Sequence, residues 1–152
     1  MTSDRIEKQI DIVAPVARVW RALTDHREFG EWFRVKIDAP FTEGQVSRGH
    51  ITWPGYEHLK WEAVIQKIEP QTYFSLQWHP YAIDPKQDYS DEPMTLVEFH
   101  LVKSTKGSLL KVVESGFDKL PAARRSMAFL KNGEGWGQQM TNIEEYVAKN
   151  PQ

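Results

Sequence analysis

Apolar residues recur along the chain with two different periods, and the changes from one to the other divide it into elements. From 5 to 13 the period is two: Ile6, Ile10 and Ile12 share a face that Lys8 interrupts, as in a strand with one buried side. From Val16 the spacing turns helical, through Val19, Trp20 and Leu23. Pro15 stands where that helix begins, because its missing N–H needs no partner there. Asp25 followed by Glu28 has the form of a capping box, so a second short helix is expected over 26–33. It presents Phe29, Trp32 and Phe33 and is weakened by Gly30.

Between 35 and 116 the period of two returns. Strands are expected near 35–39, 45–53, 57–68, 72–79, 94–103 and 108–115. The turns between them are marked by Glu43-Gly44, Pro54-Gly55, Pro70-Gln71 and Lys106-Gly107. Alternation is cleanest for Phe74, Leu76 and Trp78, and again for Val97, Phe99 and Leu101. The face of Tyr73, Ser75, Gln77 and His79 reads as solvent-facing. After Pro121, Phe129, Trp136, Met140, Ile143 and Val147 recur at steps of seven, four, three and four, one stripe of a long helix. The pattern predicts an α+β protein in which a curved antiparallel sheet of about seven strands, ordered β-α-α-β6-α, wraps around a long C-terminal helix.

The 152 residues suit a single domain, 1–152, in which roughly two-thirds of the unfolded surface is buried. Cysteine is absent, which removes disulfides, thiolate nucleophiles and thiolate-bound metals. A net charge of -2 gives no reason to expect nucleic acid or an anionic membrane as partner. No apolar run approaches the roughly 20 residues that span a bilayer, and no apolar core follows Met1-Thr2-Ser3-Asp4-Arg5. A soluble cytoplasmic protein, monomeric or a weak homodimer, is expected.

Several segments together carry a family resemblance. They are Ala14-Pro15 through Val19-Trp20, Leu23-Thr24, Trp32-Phe33, Glu114-Ser115-Gly116-Phe117 and Glu134-Gly135-Trp136. In this order and spacing they resemble the SRPBCC (START-like, helix-grip) superfamily. Within it they are similar to the family named for the activator of the heat-shock-protein-ninety ATPase, over roughly 6–149. The resemblance implies a deep, largely apolar cavity between sheet and last helix that holds a hydrophobic small molecule: a lipid, a polyketide or an aromatic compound. It also implies that a minority of relatives are cyclases or hydrolases. The family's name comes from a co-chaperone, so a chaperone or other protein is a further candidate partner. No cofactor is implied.

Leu110, Val112 and Glu114 fall on one strand face. If that face lines the cavity, a carboxyl looks inward among apolar groups. Such burial favours the protonated form of a carboxyl, which makes Glu114 the candidate hydrogen-bond anchor or general acid/base. The alternative is an outward face, or pairing with an arginine. Candidate ligand contacts are Trp78, Phe99, Val112, Glu114, Gly133, Trp136 and Met140, with Phe29, Trp32 and Phe33 at the entrance. Trp20, Trp53 and Trp61 read as core, and ordinary packing under the sheet edge is the other reading of Phe29, Trp32 and Phe33.

Gly133-Glu134-Gly135-Trp136-Gly137 lies inside a helical stripe, so it lacks the strand that a dinucleotide loop follows. Glycines cost a helix roughly 1 kcal/mol each against alanine. They allow close approach to the sheet or room for a ligand; a kink or fraying is the other reading. The five histidines show no metal-ligand spacing, and no metal is expected. No nucleophile elbow or Walker sequence occurs. Arg124-Arg125 reads as a solvated turn, and the polar stretch 80–92 as a lid or a tolerated insertion. Three classes follow: a binding protein for a hydrophobic molecule, an enzyme using Glu114, and a protein-interaction module with an exposed apolar patch.

Overall fold

The computed structural model describes residues 4–84 and 86–152. The elements run β1 (Arg5–Ile12), α1 (Val16–Thr24), α2 (His26–Phe33), β2 (Val35–Ile37), β3 (Val46–Ile51), β4 (Lys60–Glu69), β5 (Tyr73–Trp78), β6 (Thr95–Lys103), β7 (Ser108–Ser115) and α3 (Ala122–Lys149). A single 3-10 turn, Phe117–Lys119, leads into α3. The strands form one sheet in the order β1-β7-β6-β5-β4-β3-β2. Every pairing is antiparallel.

The layers follow from the alternation. The inner face carries Trp61, Ala63 and Ile65 of β4, Phe74 and Leu76 of β5, Val97, Phe99 and Leu101 of β6, and Leu110 and Val112 of β7, all buried. Trp136, Met140, Ile143 and Val147 of α3 close the core from the other side, also buried. At about 25 cal/mol per Å² of apolar surface, this layer is the main stabilising term. α3 packs on β1 and on both short helices.

Local chemistry sets the short helices. Pro15 is the N-cap of α1. Asp25 caps α2, its Oδ1 accepting from the backbone N–H of Arg27 at 2.9 Å and of Glu28 at 3.1 Å. The expected capping box is only half made. The N–H of Asp25 donates to the carbonyl of Arg21, and Glu28 turns to Arg18 and Arg21 at 2.8 and 2.6 Å. The indole N–H of Trp32 donates to the carbonyl of Ala22 at 2.8 Å and pins α2 onto α1. Gly30 has a steric reason: a Cβ there would lie 2.2 Å from the carbonyl oxygen of Val35, where β2 passes over the helix.

Three other expectations change. Ser75 is buried, not solvent-facing. It stands in register between Lys67 and Glu98, and the Tyr73 hydroxyl donates to Glu98 at 2.5 Å beside it. Trp53 is 46% exposed rather than core, with the Arg34 guanidinium over its ring. The α3 helix runs without interruption through its glycines, so it is not frayed into two helical pieces there.

Candidate functional site

Three adjacent strands and the long helix converge on one carboxylate. Glu114 of β7 is completely buried. Period-two alternation puts it on the inner face, and cross-strand register places Trp78 opposite Thr95, and Val97 opposite Glu114. Its Oε2 accepts from the indole N–H of Trp78 at 2.8 Å and the hydroxyl of Thr95 at 2.5 Å. Its Oε1 accepts from the indole N–H of Trp136 at 2.8 Å. The amide of Asn132 donates to both oxygens, at 3.0 and 3.1 Å. Asn132 and Trp136 are four residues apart, hence on one face of α3. Indole and amide N–H groups only donate, so the site is built around an acceptor-only carboxylate. The alternatives of an outward face and of an arginine partner are both replaced by this arrangement.

Aromatic rings enclose the carboxylate. Trp78 and Trp136 stack with centroids 5.7 Å apart and planes 22° apart. Phe33 lies 6.0 Å from each, Trp61 lies 5.7 Å from Trp78, and Phe99 lies 5.7 Å from Trp136. The space between sheet and helix, where a cavity was expected, is occupied by these rings. Surface depressions lie elsewhere among the described residues. One of about 600 Å³ is bounded by Val13–Val16 and the hairpin 103–107. One of about 160 Å³ lies between α2 and the end of α3, beside Arg34 and Tyr146.

Of the residues singled out from sequence, Trp78, Phe99, Val112, Glu114 and Trp136 come together, with Val112 opposite Phe99 in register. Met140 is buried one turn beyond Trp136. Phe29 is buried and edge-on to Phe99 at 6.5 Å. Trp32 is held in the α1–α2 contact, whereas Phe33 is half-buried and reaches Trp78. Gly133 looks toward β1: an added Cβ would stand 3.9 Å from Cδ1 of Ile6. Thr95 and Asn132 were not singled out. Thr95 shares the parity of Val97 and Phe99, and Asn132 precedes Trp136 by one turn, so periodicity held the signal for both.

The 79–94 connection joins two of the Glu114 donors, Trp78 and Thr95, and one arginine fastens it. Arg124, in the first turn of α3, pairs with Glu92 at 2.7 Å. It also donates to the carbonyls of Pro80 and Tyr81 at 3.0 and 3.1 Å. Its guanidinium lies 4.7 Å from the centre of the Tyr89 ring. The reading of Arg124 as solvated is therefore corrected: its side chain is 15% exposed and all of it is engaged by the loop.

Elsewhere, Arg18 is buried against Glu28 and the carbonyl of Asn150. Tyr146 donates to Glu31 at 3.1 Å, and its phenol is pushed up to about 12, first by burial and then by that bond and the charges of Glu28 and Glu31. Asp4 Oδ1 accepts from the backbone N–H groups of Gly116 and Asp118 at 3.2 and 3.3 Å, and the closeness of the two carboxyls holds Asp4 low and raises Asp118. Among the described residues no group of three His, Asp or Glu side chains is placed to hold a metal. No helix among them is long and apolar enough to cross a membrane.

A seven-stranded antiparallel sheet gripping one long helix is the helix-grip architecture. The chain belongs to the family described as activator of Hsp90 ATPase homolog 1-like protein, whose model matches residues 13–148. Among solved structures it is similar to protein MLL2253 from Mesorhizobium loti, with 23% identity and a TM-score of 0.75, covering 95% of this chain and 97% of that one. Protein NE0264 from Nitrosomonas europaea has 16% identity and a TM-score of 0.76, covering 97% and 96%. DynU16, described as a putative protein in the dynemicin biosynthetic locus, has 20% identity and a TM-score of 0.75; the match covers 98% of this chain and 49% of that one. At these identities the likeness is one of fold. No curated protein matches the chain.

Proposed function

We propose that this protein binds a hydrophobic small molecule between the sheet and α3, with Glu114 as the polar anchor and Trp78, Phe99 and Trp136 as the contacting wall. The observation that carries the reading is the placement of one buried carboxylate at the meeting point of two stacked indoles, within an otherwise apolar interior. Ligand sites combine this kind of apolar surface with a few convergent polar groups. The family and the helix-grip fold support the same reading. Val112, Met140 and Phe29 form the layer behind the wall, and Phe33 and Trp78 stand at its half-exposed edge. Ligand entry separates rings that now touch, so binding is coupled to side-chain movement.

An acid/base role is less well supported, because both oxygens of Glu114 are taken by side-chain donors. The interaction reading has little to favour it. The exposed apolar residues Val13, Val46, Trp53, Tyr56, Ile83, Val102, Met127 and Leu130 include the pair Met127 and Leu130 on one face of α3, too little to carry that reading.

Native mass spectrometry of freshly purified protein tests the binding reading. A reproducible added mass of a few hundred daltons that disappears on denaturation is expected. A clean apo mass together with no uptake of apolar aromatic probes would overturn it.

A further inference from the structure

The carboxylate says something about the ligand's head group. All the donors to Glu114 are neutral: two indoles, a hydroxyl and an amide. Among the described residues it joins no salt bridge. Neutral donors solvate a buried anion without neutralising it. In a low-dielectric interior such a group strongly favours an incoming cation and disfavours an incoming anion. Its surroundings are aromatic faces, which also attract cations. A carboxylate among stacked indoles is the chemistry that holds an organic ammonium.

Trp78 is the group placed to make way. Thr95 is fully buried and Trp136 nearly so, whereas Trp78 is partly exposed. It is the last residue of β5, and the chain leaves the sheet directly after it. Its indole fills the space between Phe33, Trp61 and Trp136 and occupies Oε2 of Glu114. An indole turned outward from there leaves a flat apolar slot with a carboxylate oxygen at its end.

We infer that the ligand is an aromatic amine, its ring in the slot now filled by the Trp78 indole and its ammonium on Oε2 of Glu114. This rests on the small-molecule reading above and specifies the head group. By the same electrostatics the site rejects free carboxylic acids, fatty acids included.

Three probes sharing one ring test the inference: naphthylmethylamine, naphthalenemethanol and naphthoate. Each is titrated into the wild-type protein by calorimetry and followed in proton–nitrogen correlation spectra of the indole N–H groups. The amine should bind about tenfold or more tighter than the alcohol, because its bond is charge-assisted, and the acid weakest. The Trp78 indole signal, assigned with Trp78→Phe, should move most with the amine. Trp78→Phe removes the competing N–H and should tighten the amine further; Glu114→Gln should erase the amine's advantage. Equal affinities, or preference for the acid, would overturn the head-group inference and leave the small-molecule reading standing. No binding of any probe to wild type or Trp78→Phe would remove both. If Glu114→Gln does not fold, the order of the three probes on the other two proteins decides alone.

Discussion

Trp136 on α3 is joined to Glu114 on β7 by a hydrogen bond of 2.8 Å, which with the Asn132 amide makes a directional tie in a layer held mainly by apolar contact. Hydrophobic packing tolerates small sliding of a helix over a sheet; a buried hydrogen bond does not. Trp78, Thr95 and Asn132 complete the arrangement. The Glu114 cluster thus sets where α3 sits as well as what lies beside it.

Glu114→Gln should therefore destabilise the protein. Whichever way the amide turns, its NH2 faces at least one indole N–H, and that donor loses its acceptor. The expected cost is roughly 1–3 kcal/mol, read from urea denaturation. Glu114→Ala should cost more, because every donor is then left without its acceptor. A midpoint unchanged in Glu114→Gln would show that the cluster does not hold the helix.

The glycines of α3 should respond differently from Gly30 of α2 and Gly49 of β3. A Cβ at Gly135 or Gly137 meets nothing within 4 Å, so alanine at either should add about 0.5–1 kcal/mol of stability through helix propensity. At Gly30 a Cβ would lie 2.2 Å from a backbone oxygen, and at Gly49 2.0 Å from another. Alanine at either should cost about 1–3 kcal/mol by overpacking. Thermal melts of the four single variants check both directions. A loss on Gly135→Ala would show that the open space beside α3 is needed.

Arg124→Ala should free the long loop. With the Glu92 pair, both carbonyl bonds and the Tyr89 contact gone, amide exchange should quicken across 80–92 while β5 and β6 stay protected. The global cost should be about 1–3 kcal/mol, since the pair is largely shielded from solvent. Unchanged exchange would mean that the loop's own turns hold it.

Tyr146 should titrate late for a tyrosine. Its phenol is moved from 10.0 up to about 12 in the folded protein, whereas the unfolded chain ionises it near its ordinary value. Its contribution to stability is complete below pH 10 and is lost as pH rises toward about 12. Tyr73 shifts the same way, through burial and then its bond to Glu98. Tyrosinate absorbance against pH should show a late component that Tyr146→Phe removes. The same titration curve in wild type and Tyr146→Phe above about pH 11 would contradict the assignment.

Much of the architecture was legible because it is written in short-range pattern. The period-two runs of 72–79, 94–103 and 108–115, the helical stripe after Pro121 and the Asp25 cap each depend on residues within a turn or a pleat of one another. The elements observed agree with them within a few residues. The family resemblance followed from short segments as well, chiefly 14–20, 32–33, 114–117 and 134–136.

Alternation also placed Glu114 on a face with Leu110 and Val112. It left open whether that face points inward, because parity distinguishes two faces without saying which one the helix covers. Tertiary structure decided this, along with the partners, which lie 36, 19, 18 and 22 residues away at Trp78, Thr95, Asn132 and Trp136. It likewise turned Arg124 from a surface charge into the fastening of a loop whose pairing residue Glu92 is 32 positions distant. Local spacing determines the elements; which donor reaches which acceptor depends on strand order and helix position, and these are set only when the whole sheet closes on α3.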